Sequence, residues 1–284
     1  LIYDGFLYGM IGGSGTQWHV LIPAALAFSL FALGFYLISR GLHKVAGSGG
    51  TLGAGYYLKH KFPRSQVVAA EALQCATLLY NGFGAHRIEG IGDKHVPWVH
   101  DCKETDFVVA VDDEVPMRAL RLFNEPVGRT ALVDNGVAAA LVEQLDLLGI
   151  SGIGNMLAAI KYAKYNELTE DDYVVSIATD SMQLYGSRLS ELEAERGVYS
   201  AADAQRDLEL VDSIAIDHTK ELSYYEKKAV HNLKYYTWIE QQGREVQELN
   251  EQWYDHDNYW YTMFDQVDEI DALINQFNER VGLL

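Results

Sequence analysis

Residues 45–51 read Val-Ala-Gly-Ser-Gly-Gly-Thr, a glycine-rich stretch between a strand-like run at 43–46 and helical spacing at 52–61. Glycines let backbone N–H groups approach an anion closely, and the positive end of a following helix favours negative charge at the same point. Ser48 and Thr51 add hydroxyl donors. The stretch therefore predicts a phosphate-binding loop at the junction of a strand and a helix.

The loop alone leaves the identity of the phosphate open. Gly47, Gly49 and Gly53 come close to a dinucleotide fingerprint, but the third glycine is one place late. A Walker loop is excluded, because no lysine precedes Thr51. Glu71 lies about 20 residues further on, where a dinucleotide site would have a ribose-binding acid. An NAD(P)-dependent oxidoreductase using Gly47, Gly49 and Glu71 is one alternative, and Glu71 as a cap of the strand end is the other.

The charge of the chain is unevenly distributed. Residues 1–165 carry 14 acidic and 13 basic side chains, whereas residues 166–284 carry 26 acidic and 9 basic ones, net −17 of the total −18. Such a balance excludes nucleic acid as a partner, because its phosphates would be repelled. The acidic half is rich in Tyr and Trp, which need a surface to pack on, so it is expected to fold.

The N-terminal region contains an uncharged run at residues 20–38, long enough to cross a bilayer. Pro23, Ser29 and Gly34 interrupt it, and the phosphate loop follows within a few residues. We therefore expect a buried helix rather than a membrane span. The run is also too long for a cleavable signal and lacks a basic start.

The cysteines and histidines predict neither a disulfide nor a metal. Cys75 and Cys102 form no CxxC pattern, which suits a reducing, cytoplasmic environment. His95, His100 and Cys102 lie close in sequence, but their spacing matches no common zinc site and no second ligand pair follows. No metal is expected.

Strand and helix patterns alternate after the loop. Strands are predicted at residues 66–71, 106–111 and 173–178, and helices at 115–124, 129–148 and 155–165. This alternation indicates an α/β fold with an open, mostly parallel sheet and helices on both faces, of which the chain holds only a part. Residues 77–98 form a long irregular segment between elements, which is typical of functional loops.

Helical segments dominate after Ser181. They are predicted at residues 203–210, 220–240, 246–253 and 267–281. We therefore predict three regions: an apolar segment at 1–41 that matches no known motif, a phosphate-binding α/β domain at 42–184, and an acidic, aromatic-rich helical extension at 185–284.

A second glycine-rich turn precedes a helix at residues 149–155, with the sequence Gly-Ile-Ser-Gly-Ile-Gly-Asn. Ser151 is the predicted helix N-cap, and Gly152 and Gly154 allow close approach of a ligand. The turn suits a second anionic group, although an ordinary capped helix would have the same pattern.

Four motifs in order resemble those of fold-type II pyridoxal phosphate enzymes, the superfamily of cysteine synthase, threonine synthase and the tryptophan synthase beta subunit. The motifs are the loop at 45–51, Ile-Glu-Gly-Ile-Gly at 88–92, Gly-Ile-Ser-Gly at 149–152 and Thr-Asp-Ser at 179–181. The runs at 71–75, 86–98 and 231–238 resemble more narrowly a cysteine-synthase-like subgroup with a helical C-terminal extension. The resemblance covers about residues 42–284.

The resemblance implies pyridoxal 5'-phosphate as cofactor and a residue-by-residue site. The phosphate would be bound by Gly47, Ser48, Gly49, Gly50 and Thr51, and the pyridine nitrogen by Ser181. Gly90, Ile91, Gly92 and Ser151 would lie on the substrate side. A neutral hydroxyl at the pyridine nitrogen does not hold the ring protonated, which favours beta-elimination or beta-replacement on a serine- or cysteine-like amino acid. A homodimer is the expected assembly.

The position of the loop departs from the family pattern. In the family the Schiff-base lysine lies far upstream of the phosphate loop, whereas here 46 residues precede Gly47 and the only lysine among them, Lys44, enters the loop. We therefore expect this chain to hold the cofactor cradle without the lysine, and we assign no catalytic residue. A non-catalytic remnant or partner subunit is the alternative.

Overall fold

The computed structural model describes Lys59 and residues 62–283. The predicted phosphate loop at 45–51, the uncharged run at 20–38 and nearly all of the predicted helix at 52–61 lie outside the described residues. Within the described part, no helix has both the length and the apolar character needed to cross a membrane.

Three strands and eleven α-helices make up the described chain. The strands are β1 (Val68–Ala72), β2 (Phe107–Val111) and β3 (Thr219–Glu221). The helices are α1 (Thr77–Tyr80), α2 (Glu114–Asn124), α3 (Pro126–Asp134), α4 (Ala139–Val142), α5 (Ile150–Tyr165), α6 (Gly186–Arg196), α7 (Ala201–Asp212), α8 (Tyr224–Lys234), α9 (Val246–Tyr254), α10 (His256–Phe264) and α11 (Val267–Arg280). Short 3-10 turns occupy Leu73–Cys75, Leu145–Leu147 and Met182–Leu184, and a π-helix occupies Tyr235–Gln241.

Strand β2 is the centre of the sheet. It pairs in parallel with β1, where Val68 is opposite Phe107, and antiparallel with β3, where Thr219 is opposite Val109. Its sequence, Phe-Val-Val-Ala-Val, is a continuous apolar run, and all five residues are buried. A strand buried on both faces requires such a run, because neither face meets water.

Helices cover both faces of β2. Phe107, Val109 and Val111 belong to the main core with residues of α2 and α5, whereas Val108 and Ala110 pack with residues of α1 and the segment after β3. The prediction of an α/β fold with a parallel strand pair, helices on both faces and a helical C-terminal part is confirmed within the described residues.

Helix ends follow local sequence signals. Helix α2 was predicted at 115–124 and stops where Glu125 turns to an extended conformation, because the next residue, Pro126, disfavours a helical residue before it. Helix α7 begins with a capping box in which Ser200 and Asp203 bond each other's backbone. The predicted helices at 203–210, 246–253 and 267–281 are likewise confirmed as α7, α9 and α11.

The single helix predicted at 129–148 is wrong. The chain there forms the end of α3, the short α4 and a 3-10 turn. Gly136 has a φ of +93°, a left-handed conformation that ends a helix, and Arg129 donates to the carbonyl oxygen of Val142 at 3.0 Å. The apolar spacing of the sequence continued across this break and concealed it.

Two further predictions need correction. The helix predicted at 220–240 is shorter at its start, because Thr219–Glu221 pairs with β2 and a capping box of Ser223 and Glu226 starts α8 at Tyr224. The strand predicted at 173–178 has no regular secondary structure, and no described strand pairs with it. The backbone N–H and C=O groups of a strand need hydrogen-bond partners on a neighbouring strand. An apolar run in the sequence is therefore not sufficient to form a strand.

By packing, the described residues separate into a larger part that ends at Leu249 and a smaller part from Asn250 onward. Within the larger part, β3 and α7 pack against β2 and α2, although they come from the predicted extension at 185–284. The predicted division of the chain at residues 184 and 185 stays a prediction.

Candidate active site

Three motifs predicted from sequence, at residues 88–92, 149–155 and 179–181, lie against one another, and the two residues before the third take part in the contacts, so that three segments, 88–92, 149–155 and 177–181, meet. We call them the site segments. A Cβ atom on Gly90 would lie 3.4 Å from the Oγ atom of Ser151, and one on Gly154 would lie 3.0 Å from Ile91. The absence of side chains at these glycines therefore lets the segment at 88–92 rest on the first turn of α5.

The segment at 177–181 follows the same turn of α5. The Gly149 N–H donates to the carbonyl oxygen of Asp180 at 3.0 Å. Ser151 and Thr179 share a hydrogen bond between their hydroxyls at 2.8 Å, and the side-chain amide of Asn155 donates to the carbonyl oxygen of Ile177 at 3.0 Å. The predicted N-cap role of Ser151 is wrong, because the N-cap of α5 lies two residues earlier, at Gly149, and has no side-chain hydrogen bond.

Asp180 and Tyr185 form a pair beside Ser181. The Tyr185 hydroxyl donates to the Oδ2 atom of Asp180 in a short hydrogen bond. Burial, with the bond to Asp180 adding to it, raises the pKa of Tyr185 above its usual range. The phenol therefore stays protonated and remains a donor at physiological pH.

Ser181 is the residue that the family resemblance places at the pyridine nitrogen. It is half-buried, extended at φ −121° and ψ 169°, and precedes the 3-10 turn Met182–Leu184. Its side chain caps no N–H of that turn, and its hydroxyl makes no hydrogen bond within the described part of the chain. The hydroxyl is therefore available to a ligand.

The segment at 88–92 is fixed by its own contacts. Gly90 and Gly92 have φ values of +93° and +97°, which side-chain-bearing residues rarely adopt. His86 Nε2 donates to the carbonyl oxygen of Gly92 at 3.0 Å, while the Nδ1 atom of the same ring is buried without a hydrogen-bond partner in the described structure. Arg188 of α6 bonds Glu89 at 2.7 Å.

The predicted phosphate-binding residues, Gly47, Ser48, Gly49, Gly50 and Thr51, lie outside the described residues. Their role, like the cofactor and substrate roles of Ser181, Gly90, Ile91, Gly92 and Ser151, stays a prediction. The structure brings the last five together in the site segments.

Glu71 does not match a ribose-binding acid. It is buried, and its two carboxylate oxygens accept from the backbone N–H groups of Leu78 and Leu79 at 3.0 and 2.9 Å. Burial raises its pKa to about 7, against the lowering effect of these hydrogen bonds. Both carboxylate oxygens of Glu71 bond backbone N–H groups near the start of α1 and are not free to bind a ribose. The dinucleotide alternative therefore loses the acid on which it rested.

Two lysines in the described chain are buried, and both bond backbone carbonyls. Lys161 Nζ donates to the carbonyl oxygen of Ala110 at 3.0 Å and to Asp217 at 2.9 Å. Lys234 Nζ donates to the carbonyl oxygens of Trp98 and His100, at 2.9 and 2.7 Å. Both amines therefore have backbone partners within the fold.

The second lysine belongs to a buried cluster, which we call the lysine anchor: Lys234, Trp98, His100, Cys102 and His231. Burial lowers the pKa of Lys234 and raises that of the Cys102 thiol to about 11. It lowers the pKa of both His100 and His231 to about 4, with the Lys234 charge adding to the effect. His100 donates to Thr105 at 2.9 Å, and no group of three or more potential ligands in residues 62–283 is placed to hold a metal.

Sequence reasoning missed the Asp180–Tyr185 pair, the Arg188–Glu89 pair and the lysine anchor. The Asp180–Tyr185 pair did leave a signal in the sequence, since an aromatic hydroxyl five residues after an aspartate can reach back across one turn. The others join residues far apart in sequence, by 99 positions for Arg188 and Glu89 and 134 for Lys234 and His100. No local pattern reveals such contacts.

The site segments and the parallel strand pair define an α/β protein whose glycine-rich turns meet at the N-terminus of a helix. Comparison with known proteins names the relatives. Cystathionine beta-synthase of Saccharomyces cerevisiae is 31% identical over 147 residues, 49% of this chain and 26% of that protein. Cysteine synthase B of Campylobacter jejuni is 26% identical over 140 residues, 49% of this chain and 40% of that protein. A cysteine synthase of Staphylococcus aureus is 29% identical over 105 residues, 36% of this chain and 34% of that protein.

No family model matches the chain. A crystal structure of a hydrogen sulfide-producing enzyme from Fusobacterium nucleatum aligns with a TM-score of 0.40 and 20% identity, over 68% of this chain and 52% of that one.

The chain is a distant relative of cysteine synthase and cystathionine beta-synthase, and so of the fold-type II pyridoxal phosphate enzymes that its motifs predicted. It spans only about a quarter to two fifths of the length of these curated relatives.

Proposed function

We propose that this chain forms part of a pyridoxal-phosphate-dependent enzyme that catalyses beta-elimination or beta-replacement on a serine- or cysteine-like amino acid. The observation that carries the proposal is the convergence of the site segments beside a half-buried hydroxyl, that of Ser181, which makes no hydrogen bond within the described part of the chain. The relationship to cysteine synthases supports it.

The donor groups at this place fit the cofactor ring. A pyridine nitrogen needs a hydrogen-bond donor, and Ser181 offers one without a charge. The neighbouring carboxylates already have partners, since Asp180 accepts from Tyr185 and Glu89 pairs with Arg188. Ser181 therefore meets the ring nitrogen without competition from a carboxylate that would hold it protonated.

The remaining residues have separate tasks in the proposal. Backbone N–H groups and hydroxyls at 47–51 hold the phosphate. Because Gly90 has no side chain, the segment at 88–92 packs closely against Ser151 at the start of α5, and in the proposal both border the substrate. Bound pyridoxal phosphate supplies the electron sink, and a neutral partner at its nitrogen keeps that sink weak enough to favour chemistry at the beta carbon.

The overall reaction is redox-neutral. In replacement, the bond from the beta carbon to the leaving group breaks, and the leaving group departs with the electron pair and takes up a proton. The nucleophile loses a proton as it bonds the same carbon. In elimination the alpha proton and the leaving group are lost together, and water then releases the keto acid and ammonia.

The test uses the protein expressed from its complete reading frame and compares Ser181→Ala with Ser187→Ala, an exposed serine of α6 without a hydrogen bond. Loss of one hydrogen bond costs about 1 kcal/mol, so Ser181→Ala should weaken pyridoxal phosphate binding about fivefold, measured by absorption titration. Ser187→Ala should bind like the unaltered protein. Failure of the unaltered protein to bind the cofactor contradicts the proposal.

We further propose that none of Lys94, Lys161 and Lys234 is the lysine linked covalently to the cofactor, because Lys161 and Lys234 are buried and bond backbone carbonyls and Lys94 is exposed. Borohydride reduction followed by peptide mapping locates the modified residue. Modification of Lys94, Lys161 or Lys234 contradicts this, and binding without any covalent attachment favours the remnant or partner subunit.

A homodimer is proposed with a second copy of the chain at α11. Apolar side chains lie exposed or half-exposed along this helix at Val267, Ile270, Ile274, Phe277 and Val281, the spacing of a coiled-coil seam. The first turn is acidic and the last turn holds Arg280, so an antiparallel second copy brings opposite charges together. Sedimentation equilibrium of the unaltered protein checks it, and a monomer mass contradicts it.

A cytoplasmic location is proposed from the cysteines. Cys75 and Cys102 are both buried thiols without a disulfide. Fractionation of the source cells tests it, and recovery of the protein outside the cytoplasm contradicts it.

A further inference from the structure

We propose that Tyr185 is a positioning residue for the cofactor: its hydrogen bond to Asp180 fixes the direction of the Ser181 hydroxyl. The inference rests on the proposed function and adds a residue that does not itself touch the cofactor. Three features of the structure carry it, which are the contacts that hold Asp180, the short loop that contains Ser181, and the fit of Tyr185 against Gly149.

Asp180 is held at both its backbone and its side chain. Its carbonyl oxygen accepts from the N–H of Gly149 at 3.0 Å, and its Oδ2 atom accepts from the Tyr185 hydroxyl. The Oδ1 atom also lies 3.4 Å from the Thr179 hydroxyl, which donates to it. The residue before Ser181 is thereby tied to the N-terminal turn of α5.

The chain from Asp180 to Tyr185 forms a small hydrogen-bonded loop. The Tyr185 N–H donates to the carbonyl oxygen of Met182 at 2.9 Å, and the Leu184 N–H donates to that of Ser181 at 3.2 Å. Met182 is buried. The Tyr185 hydroxyl closes the loop on Asp180, so both neighbours of Ser181 are fixed while its own hydroxyl is left for the ligand.

Gly149 makes the arrangement possible. A Cβ atom at this position would lie 2.1 Å from the Oδ1 atom of Asp180 and 2.8 Å from a ring carbon of Tyr185. Only a glycine lets both side chains lie over the start of the helix. The Tyr185 ring therefore packs on the glycine while its hydroxyl reaches the carboxylate, which separates a packing role from a hydrogen-bonding role.

Tyr185→Phe tests the hydrogen bond, because it keeps the ring and removes the hydroxyl. We expect pyridoxal phosphate to bind about fivefold more weakly, the size of one lost hydrogen bond. The matched control is Tyr173→Phe, since the Tyr173 side chain is 92% exposed and its hydroxyl contacts water. Asp180→Asn keeps an acceptor for Tyr185 and should retain most of the affinity.

A double-mutant cycle distinguishes positioning from general stabilisation. If Tyr185 acts through Ser181, adding Tyr185→Phe to Ser181→Ala should cause no further loss of cofactor affinity. Hydrogen exchange of the cofactor-free protein should also show faster exchange of the Gly149 and Tyr185 amides in Tyr185→Phe than in Tyr173→Phe.

The outcomes separate the two proposals. Equal affinities of Tyr185→Phe and Tyr173→Phe, or a fivefold loss that persists in the Ser181→Ala background, overturns the positioning role and leaves the proposed function intact. Absence of cofactor binding by the unaltered protein overturns the proposed function and this inference with it.

Discussion

The site segments and the lysine anchor are both places where the chain brings distant polar groups together, but they differ in how those groups are satisfied. In the anchor, Lys234 is fully buried and donates to two backbone carbonyls, and His231 donates to the carbonyl oxygen of Leu249 at 3.0 Å. Beside the site segments, the Ser181 hydroxyl and the Nδ1 atom of His86 make no hydrogen bond within the described part. These two polar atoms can still bond a ligand, whereas the amine and imidazole donors of the anchor already bond backbone carbonyls.

The comparison also concerns charge. In the anchor, the Lys234 ammonium is buried away from water and donates hydrogen bonds to backbone carbonyls. This arrangement stabilises a fixed structure and leaves no donor for chemistry. In the site segments, the Asp180 carboxylate accepts from a phenol and the Glu89 carboxylate from a guanidinium, while the neutral hydroxyl of Ser181 is left open. A buried lysine is thus a structural group here, although buried lysines in other enzymes act as nucleophiles.

The largest expected effect comes from breaking the anchor. Lys234→Met removes the amine that donates to the carbonyl oxygens of Trp98 and His100, so we expect a loss of about 3 kcal/mol in the free energy of unfolding. Urea denaturation measures it, with Lys94→Met at an exposed position as the control. Protein that remains folded should bind the cofactor with unchanged affinity. Loss of affinity without loss of stability would place Lys234 in the active site and remove the contrast between the two regions.

The second-largest expected effect is a loss of folding stability at low pH, caused by protonation of His231 in the anchor. The pKa of His231 is about 4 in the folded protein, below the ordinary value of 6.5 that it regains on unfolding. Its contribution to stability is therefore complete above pH 6.5 and is lost as the pH falls toward 4, by about 2 kcal/mol at pH 5. His231→Gln keeps a donor for Leu249 and should lose about that much less stability between pH 7 and 5. Equal losses in both proteins contradict the assignment, and measurements between pH 7 and 8 are the internal control.

The sequence predicted part of the site segments but nothing of the lysine anchor, and the reasons are physical. Strand β2 was found because a strand buried on both faces must be apolar throughout, and the turn at 149–155 because glycines leave a visible pattern. The anchor was not found, because a lysine that is buried looks in sequence like one that is exposed. The helix predicted at 129–148 and the strand predicted at 173–178 failed for a related reason: periodicity records which face is apolar, but a left-handed glycine or a missing neighbour decides whether the element forms.

The smallest expected effect is at the site, from a single methyl group. Gly149→Ala is compatible with the backbone, since Gly149 has a φ of −74°, but its Cβ would lie 2.1 Å from Asp180 Oδ1. Because both the Asp180 carboxylate and the Tyr185 ring, 2.8 Å from the new Cβ, would have to shift, we expect a loss of about 1 kcal/mol in the free energy of unfolding. The shift breaks the hydrogen bond between Asp180 and Tyr185, so cofactor affinity should fall about fivefold, as in Tyr185→Phe.

The control is Gly186→Ala, where no atom lies within 4 Å of the new Cβ. This variant should leave affinity unchanged and slightly stabilise α6. Equal affinities of the two alanine variants would mean that the contact at Gly149 is structural alone, as the anchor is.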